Sequence, residues 1–232
     1  MKPQVKPGYF SLQVAADSRR GEFDCKNQVV LEKEIPVHTV FIGDSITQMW
    51  ELAAYFSRPG QVYLNRGIGG DVTTYIRSRF AADVVQLKPR CCVLMAGVND
   101  AWDLEFNHWR QEPGLSVETI LSTAAENHTA IAEMAVQNGI HLFLCSVLPT
   151  NMLWTNHEPE RREYILRLNE HLRSLGRRSA ITYVDYYTHM VQPDAPLVRD
   201  GLTIEGLHPN VTGYDIMAWV LLDSCEREGY SL

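Results

Sequence analysis

The chain of 232 residues has no basic run longer than a pair, and its 21 Lys and Arg are outnumbered by 28 Asp and Glu, for a formal charge of −7. Such a surface repels phosphate backbones and anionic headgroups, so no nucleic acid and no anionic membrane is expected as a partner. No apolar stretch reaches the ~18 residues that a membrane-spanning helix needs. The opening residues, MKPQVKPGYFSLQVAADSRRGEFD, also contain no apolar core of a secretory signal. A soluble, non-exported chain is the expectation. The five cysteines (Cys25, Cys91, Cys92, Cys145, Cys225) form no C-x-x-C, are odd in number and include an adjacent pair inside an apolar run. That usage fits reduced thiols and a cytoplasmic location. No H-x-x-x-H or comparable ligand spacing is present, so no metal site is expected. Internal repeats and low-complexity segments are absent as well.

What the chain does have, from residue 37 onward, is an alternation of two periods. Short apolar, β-branched runs predict strands at HTVFIG (38–43), QVYLNRG (61–67), RCCVLMAG (90–97), IHLFLCSV (140–147) and AITYVDY (180–186). Stretches of helical period lie near 46–57, 72–88, 117–138, 159–176 and 210–227. Alternating strands and helices imply βαβ units, hence a five-stranded parallel sheet in a flavodoxin-like three-layer α/β/α sandwich. With 45% hydrophobic residues, the length suits one large domain, taken as 37–232. Residues 1–36 do not share this rhythm and carry Pro3, Pro7 and Gly8. They are read as an arm that either wraps the domain or reaches a partner subunit in a homo-oligomer.

In open parallel sheets ligands bind beyond the carboxyl ends of the strands. Four polar loops lie at such ends: Gly43-Asp44-Ser45, NRGIGGD (65–71), GVND (97–100) and EGLHPN (205–210). Ser45 has two readings. With Gln48 it matches the S-x-x-Q capping box, in which its hydroxyl satisfies helix amides. If Asp44 is the cap instead, the Ser45 hydroxyl is free to act as a nucleophile. Hydrolysis through serine also needs a base, a group that orients the base, and donors for the oxyanion. His208 supplies the base and Glu205 the orienting acid. The Ser45 amide, the Gly70 amide and the Asn99 side chain supply the donors. Asp200, in VRDG, is the second candidate for the acid, and a Ser-His dyad leaning on a backbone carbonyl is a third arrangement.

Gly43-Asp44-Ser45-Ile46, the Gly70 loop, Gly97-x-Asn99-Asp100 and x-x-His208-Pro209, in that order, resemble the four blocks of the SGNH (GDSL) hydrolases. The resemblance covers the chain from about residue 38 to its end. It implies the SGNH hydrolase sandwich, no metal or other cofactor, Ser45 and His208 as catalytic residues, and Ser45, Gly70 and Asn99 as oxyanion donors. It also implies a serine esterase or acylhydrolase, here expected to cleave short acyl groups such as O-acetyl esters of a carbohydrate or other small molecule. The alternatives are a thioesterase or lysophospholipase with a longer slot built from Met49, Trp50, Met152 and Trp154, and an inactive binding protein of the same fold. One departure stands out: Glu205 occupies the position where the family usually has aspartate. The α/β-hydrolase elbow G-x-S-x-G is absent.

Competing structural readings accompany each choice. Asn99 and Asp100 are also turn formers, Gly67 and Gly69 also serve positive φ, and Arg66 also suits a surface salt bridge. Among the remaining histidines, His108, His157 and His189 lie in loops and rival His208. Asp44, Trp50, Trp102 and Trp154 are expected to line the substrate site, with the loop 148–160 as a wall, although each tryptophan suits core packing equally well.

Overall fold

The computed structural model describes residues 4–5, 14–108 and 111–232. Its sheet contains β1 (Val37–Gly43), β2 (Val62–Gly67), β3 (Cys91–Met95), β4 (His141–Cys145) and β5 (Ile181–Val184), all parallel, in the order β2-β1-β3-β4-β5. The central strands β1 and β3 are buried along their whole length because helices cover both faces. The described helices are α1 (Val14–Glu32), α2 (Ser45–Met49), α3 (Leu52–Tyr55), α4 (Thr73–Asp83), α5 (Val117–Gln137), α6 (Glu158–Leu175), α7 (Tyr186–Met190) and α8 (Val211–Arg227). Helices α4, α5 and α6 pack side by side, while Trp50, ending α2, stacks on Tyr214 of α8 in the other layer. The result is the expected three-layer sandwich. No helix among the described residues is long and apolar enough to cross a membrane.

Three local expectations change. The helix expected over 46–57 is broken in two, because the Asn65 side chain donates to the Thr47 and Trp50 carbonyls at 2.7 and 3.2 Å and ends α2 there. The helix expected over 72–88 stops at Asp83 and continues as a 3₁₀ turn, Val85–Leu87, before Lys88 turns left-handed at φ 49°. A small antiparallel hairpin, β6 (Val191–Gln192) and β7 (Ala195–Val198), lies between α7 and the His208 loop.

The arm is partly helical. Residues 1–3 and 6–13 lie outside the described residues, but α1 packs against α4. Phe23 is fully buried, and the Asn27 side chain donates to the Ala82 carbonyl and to Asp83 Oδ1 at 3.1 and 2.9 Å. This part of the arm covers the domain itself.

Candidate active site

Strand β1 delivers Ser45 to the reactive edge, and Asp44 caps the helix that follows. Asp44 Oδ1 accepts from the Ile46 amide at 2.9 Å, and the Gln48 amide bonds the Asp44 carbonyl at 2.9 Å, so the Ser45 hydroxyl caps nothing. Ser45 Oγ instead lies 2.9 Å from His208 Nε2. On the other side of the ring, His208 Nδ1 is hydrogen-bonded to Glu205 Oε1, which also accepts from the His208 amide at 3.4 Å. Asp200 is occupied elsewhere, with Gln192 Nε2 at 3.5 Å from its Oδ1. The rival histidines have other partners: His108 packs on Phe106, His157 lies 3.7 Å from Glu160, and His189 packs on Trp219.

The glycine loop closes on α2 from the end of β2. A Cβ on Gly67 would stand 2.2 Å from the Gln48 amide nitrogen, so this close approach requires glycine. Gly67 and Gly69 do not have positive φ, contrary to the structural reading offered for them; Gly70 does, at φ 77°. The Gly69 amide is taken by Gln48 Oε1, whereas the Gly70 amide has no hydrogen-bond partner among the described residues. Asn99 Nδ2 donates one hydrogen to the Asp71 carbonyl at 3.0 Å, which leaves its second for a ligand. Asp100 bonds its own backbone amide, as a turn former does, and also holds a neighbouring element. Its carboxylate accepts the Thr73 amide at 3.1 Å and the Thr73 hydroxyl, tying the Asn99 loop to the start of α4. Burial raises the Asp100 carboxyl to about 6.

Several expected substrate contacts are corrected. Asp44 is 1% exposed and spends its carboxylate on the cap. Trp50 is 4% exposed, wedged among Phe41, Phe56 and Tyr214, and so is core. Arg66 makes no surface salt bridge among the described residues. It is 3% exposed, donates to Asn27 Oδ1 and the Asn65 carbonyl, and lies over the Phe23 ring. Trp102 and Trp154, at 38% and 58% exposure, form a tilted ring pair 5.5 Å apart. Trp154 Nε1 donates to the Glu205 carbonyl at 3.3 Å, which puts this pair beside Glu205. The 148–160 loop is tied to the Asn99 side by Asn156, whose side chain donates to Glu105 at 3.0 Å, and by Arg161 beneath the Trp102 ring. Sequence reasoning missed the roles of Asn65, Asp71, Arg79 and Arg161. The only available signals were polar residues at a strand end and acid–base spacings inside helical stretches, which also describe solvated surfaces.

Burial of Asp44, with the Asp71 and Asp100 charges adding to it, raises its carboxyl to about 7. The unfolded chain releases this proton near pH 4, so between about 4 and 7 the folded chain holds a proton that the unfolded chain does not. The stability attached to this group is complete below the unfolded pKa and is lost as pH rises through the folded one. Asp44→Asn keeps a capping acceptor and cannot ionise. Its Tm relative to the parent should therefore climb between pH 5 and pH 8.5 in thermal melts. A difference independent of pH would contradict the buried ionisation.

The chain has relatives that fit this geometry. Residues 41–216 match the model of the GDSL-like lipase/acylhydrolase family. The uncharacterized lipoprotein YqeF of Bacillus subtilis is 26% identical over 157 residues, a match spanning 61% of this chain and 61% of that protein. A GDSL-like lipase from Bacteroides thetaiotaomicron is similar in structure, with a TM-score of 0.74, 28% identity, and coverage of 90% of this chain and 97% of that one. An acetylxylan esterase from Geobacillus stearothermophilus shares the fold, with a TM-score of 0.63 at 18% identity over 81% of this chain and 93% of that one. Both the sandwich and the sequence thus lead to one assignment: the chain belongs to the GDSL-like lipase/acylhydrolase family, a family of carboxylic ester hydrolases.

Proposed function

We propose that the protein hydrolyses carboxylic esters through an acyl-enzyme on Ser45. The observation that carries this reading is the unbroken chain from Ser45 Oγ through the His208 imidazole to Glu205. His208 Nε2 takes the hydroxyl proton as Ser45 Oγ attacks the ester carbonyl, and Glu205 holds the ring and stabilises the imidazolium. The Ser45 amide, the Gly70 amide and the free hydrogen of Asn99 Nδ2 receive the oxyanion. The imidazolium then protonates the leaving alkoxide. Water, deprotonated by His208, attacks the acyl-enzyme and releases the acid and Ser45.

Two features support a short acyl group. Of the four residues that would build a long apolar slot, Trp50 and Met152 are core residues. The exposed Trp102–Trp154 pair is left to contact the leaving group, and flat apolar faces of that kind suit a sugar ring or another small cyclic alcohol. The fold-sharing esterase from Geobacillus stearothermophilus acts on acetylated xylan, and catalytic mutants of that enzyme replace a histidine, a serine and an aspartate by alanine.

Turnover of p-nitrophenyl acetate, butyrate and octanoate, measured in parallel, tests the chain-length preference. Acetate is expected to give the highest kcat/KM, and a maximum at octanoate would transfer the assignment to a thioesterase or lysophospholipase. A fluorophosphonate probe should label Ser45. An unlabelled, correctly folded chain would indicate a binding protein.

A further inference from the structure

Beneath the oxyanion loops runs a row of buried charges that the hydrolytic cycle does not use. Arg79 on α4 is fully buried and donates from all three guanidinium nitrogens. Nε bonds Asp71 Oδ2 at 2.7 Å, Nη1 bonds Asp83 Oδ2 at 3.0 Å, and Nη2 bonds the Gly43 carbonyl at 3.0 Å. Gly43 is the last residue of β1, two before the nucleophile. Asp71 follows Gly70, and its carbonyl is the acceptor that holds the Asn99 side chain. One guanidinium therefore touches the nucleophile loop and the Gly70 loop, and it reaches Asn99 through a single residue.

The far side of this row belongs to α1. Asp83 Oδ1 accepts from Asn27 Nδ2 at 2.9 Å and faces Arg20 Nη1 at 2.9 Å. Arg20 also pairs with Asp24 on its own helix. Asn27 Oδ1 in turn accepts from Arg66 Nε and Nη2, at 3.1 and 2.8 Å, at the end of β2. Buried charges persist only where each is paired. Asp83 is shared between Arg79 and Arg20, so α1 limits how strongly Asp83 draws Arg79 away from Asp71 and Gly43.

We propose that Arg79 is a positioning residue of the oxyanion hole, and that α1 sets its position by sharing Asp83 through Arg20 and Asn27. The inference rests on the hydrolase reading of Ser45 and deepens it. The planar fork of arginine points at three acceptors at once, whereas lysine carries the same charge as a single point. A displacement of about 1 Å in a catalytic constellation costs on the order of 100-fold in rate.

The test uses the full chain and p-nitrophenyl acetate, with active sites counted by fluorophosphonate titration so that misfolded protein does not enter kcat. Parental turnover and its loss in Ser45→Ala judge the hydrolase reading separately. Arg79→Lys is expected to lower kcat by roughly 10- to 100-fold while KM changes little. In an Asn99→Ala background the same substitution should cost far less, because both changes damage one hole. Independent, multiplying losses in the double variant would overturn the proposal, as would a parental kcat in folded Arg79→Lys protein. Should Arg79→Lys fail to fold, Arg20→Met decides. The expected result is a kcat lowered severalfold at unchanged KM, and a lowered Tm with parental kcat per titrated site would reject the coupling to α1.

Discussion

Glu205→Gln should lower kcat about 10⁴-fold, the scale seen when a triad acid loses its charge, while Asp200→Asn leaves turnover unchanged. The amide cannot stabilise the imidazolium, and its NH2 group can favour the wrong tautomer at His208 Nδ1. In this chain Glu205 Oε1 is engaged by both the ring and the amide of His208. The loop that carries this glutamate is pinned by hydrogen bonds along its length. The Asn151 amide donates to the Gly206 carbonyl at 2.8 Å, Trp154 Nε1 donates to the Glu205 carbonyl at 3.3 Å, and the Ile204 amide closes the loop on the His208 carbonyl at 2.8 Å. Asp200 meets Gln192 at the β6–β7 hairpin. Steady-state kinetics of the two variants decide the matter, and a large loss in Asp200→Asn with little in Glu205→Gln would reassign the acid.

Ser45→Ala should be more damaging still, at about 10⁶-fold in kcat, with fluorophosphonate labelling abolished. Its effect on stability separates the two readings of this serine. A lost helix cap costs about 1 kcal/mol, which lowers Tm by roughly 2 to 4 °C in a chain of this size. Because Asp44 holds the Ile46 amide and the Ser45 hydroxyl faces His208, the variant should melt with the parent. A clear fall in Tm with activity retained would return Ser45 to its capping role.

Strand and helix periods were legible in the sequence, because burial on both faces turns parallel strands into continuous apolar runs: HTVFIG and RCCVLMAG read as strands, and the strands run Val37–Gly43 and Cys91–Met95. The four polar loops were legible for a related reason, since polar residues right after such runs fall at the carboxyl edge of the sheet. The same local signal could not separate Trp50 from Trp102 and Trp154. All three follow a strand or a reactive loop, and only packing shows that the first is core and the others are exposed. Nor could it show that Arg66 and Arg79 are buried, since an arginine in a strand or an i,i+4 pair with Asp83 equally describes a solvated face.

By itself, then, the amino-acid order determined the sandwich, its reactive edge, and the residue types brought there. The tertiary structure alone decided which carboxylate bonds His208 Nδ1, which residue caps α2, and how α1 reaches Asp83 and, through Arg79, the Gly43 and Asp71 loops. The reason is physical. Periodicity records whether a side chain is buried, which depends on its immediate neighbours along the chain. A hydroxyl, a carboxylate or a guanidinium takes its role from its partner, and here Ser45 finds His208 163 residues away and Asn99 finds Asp71 28 residues away.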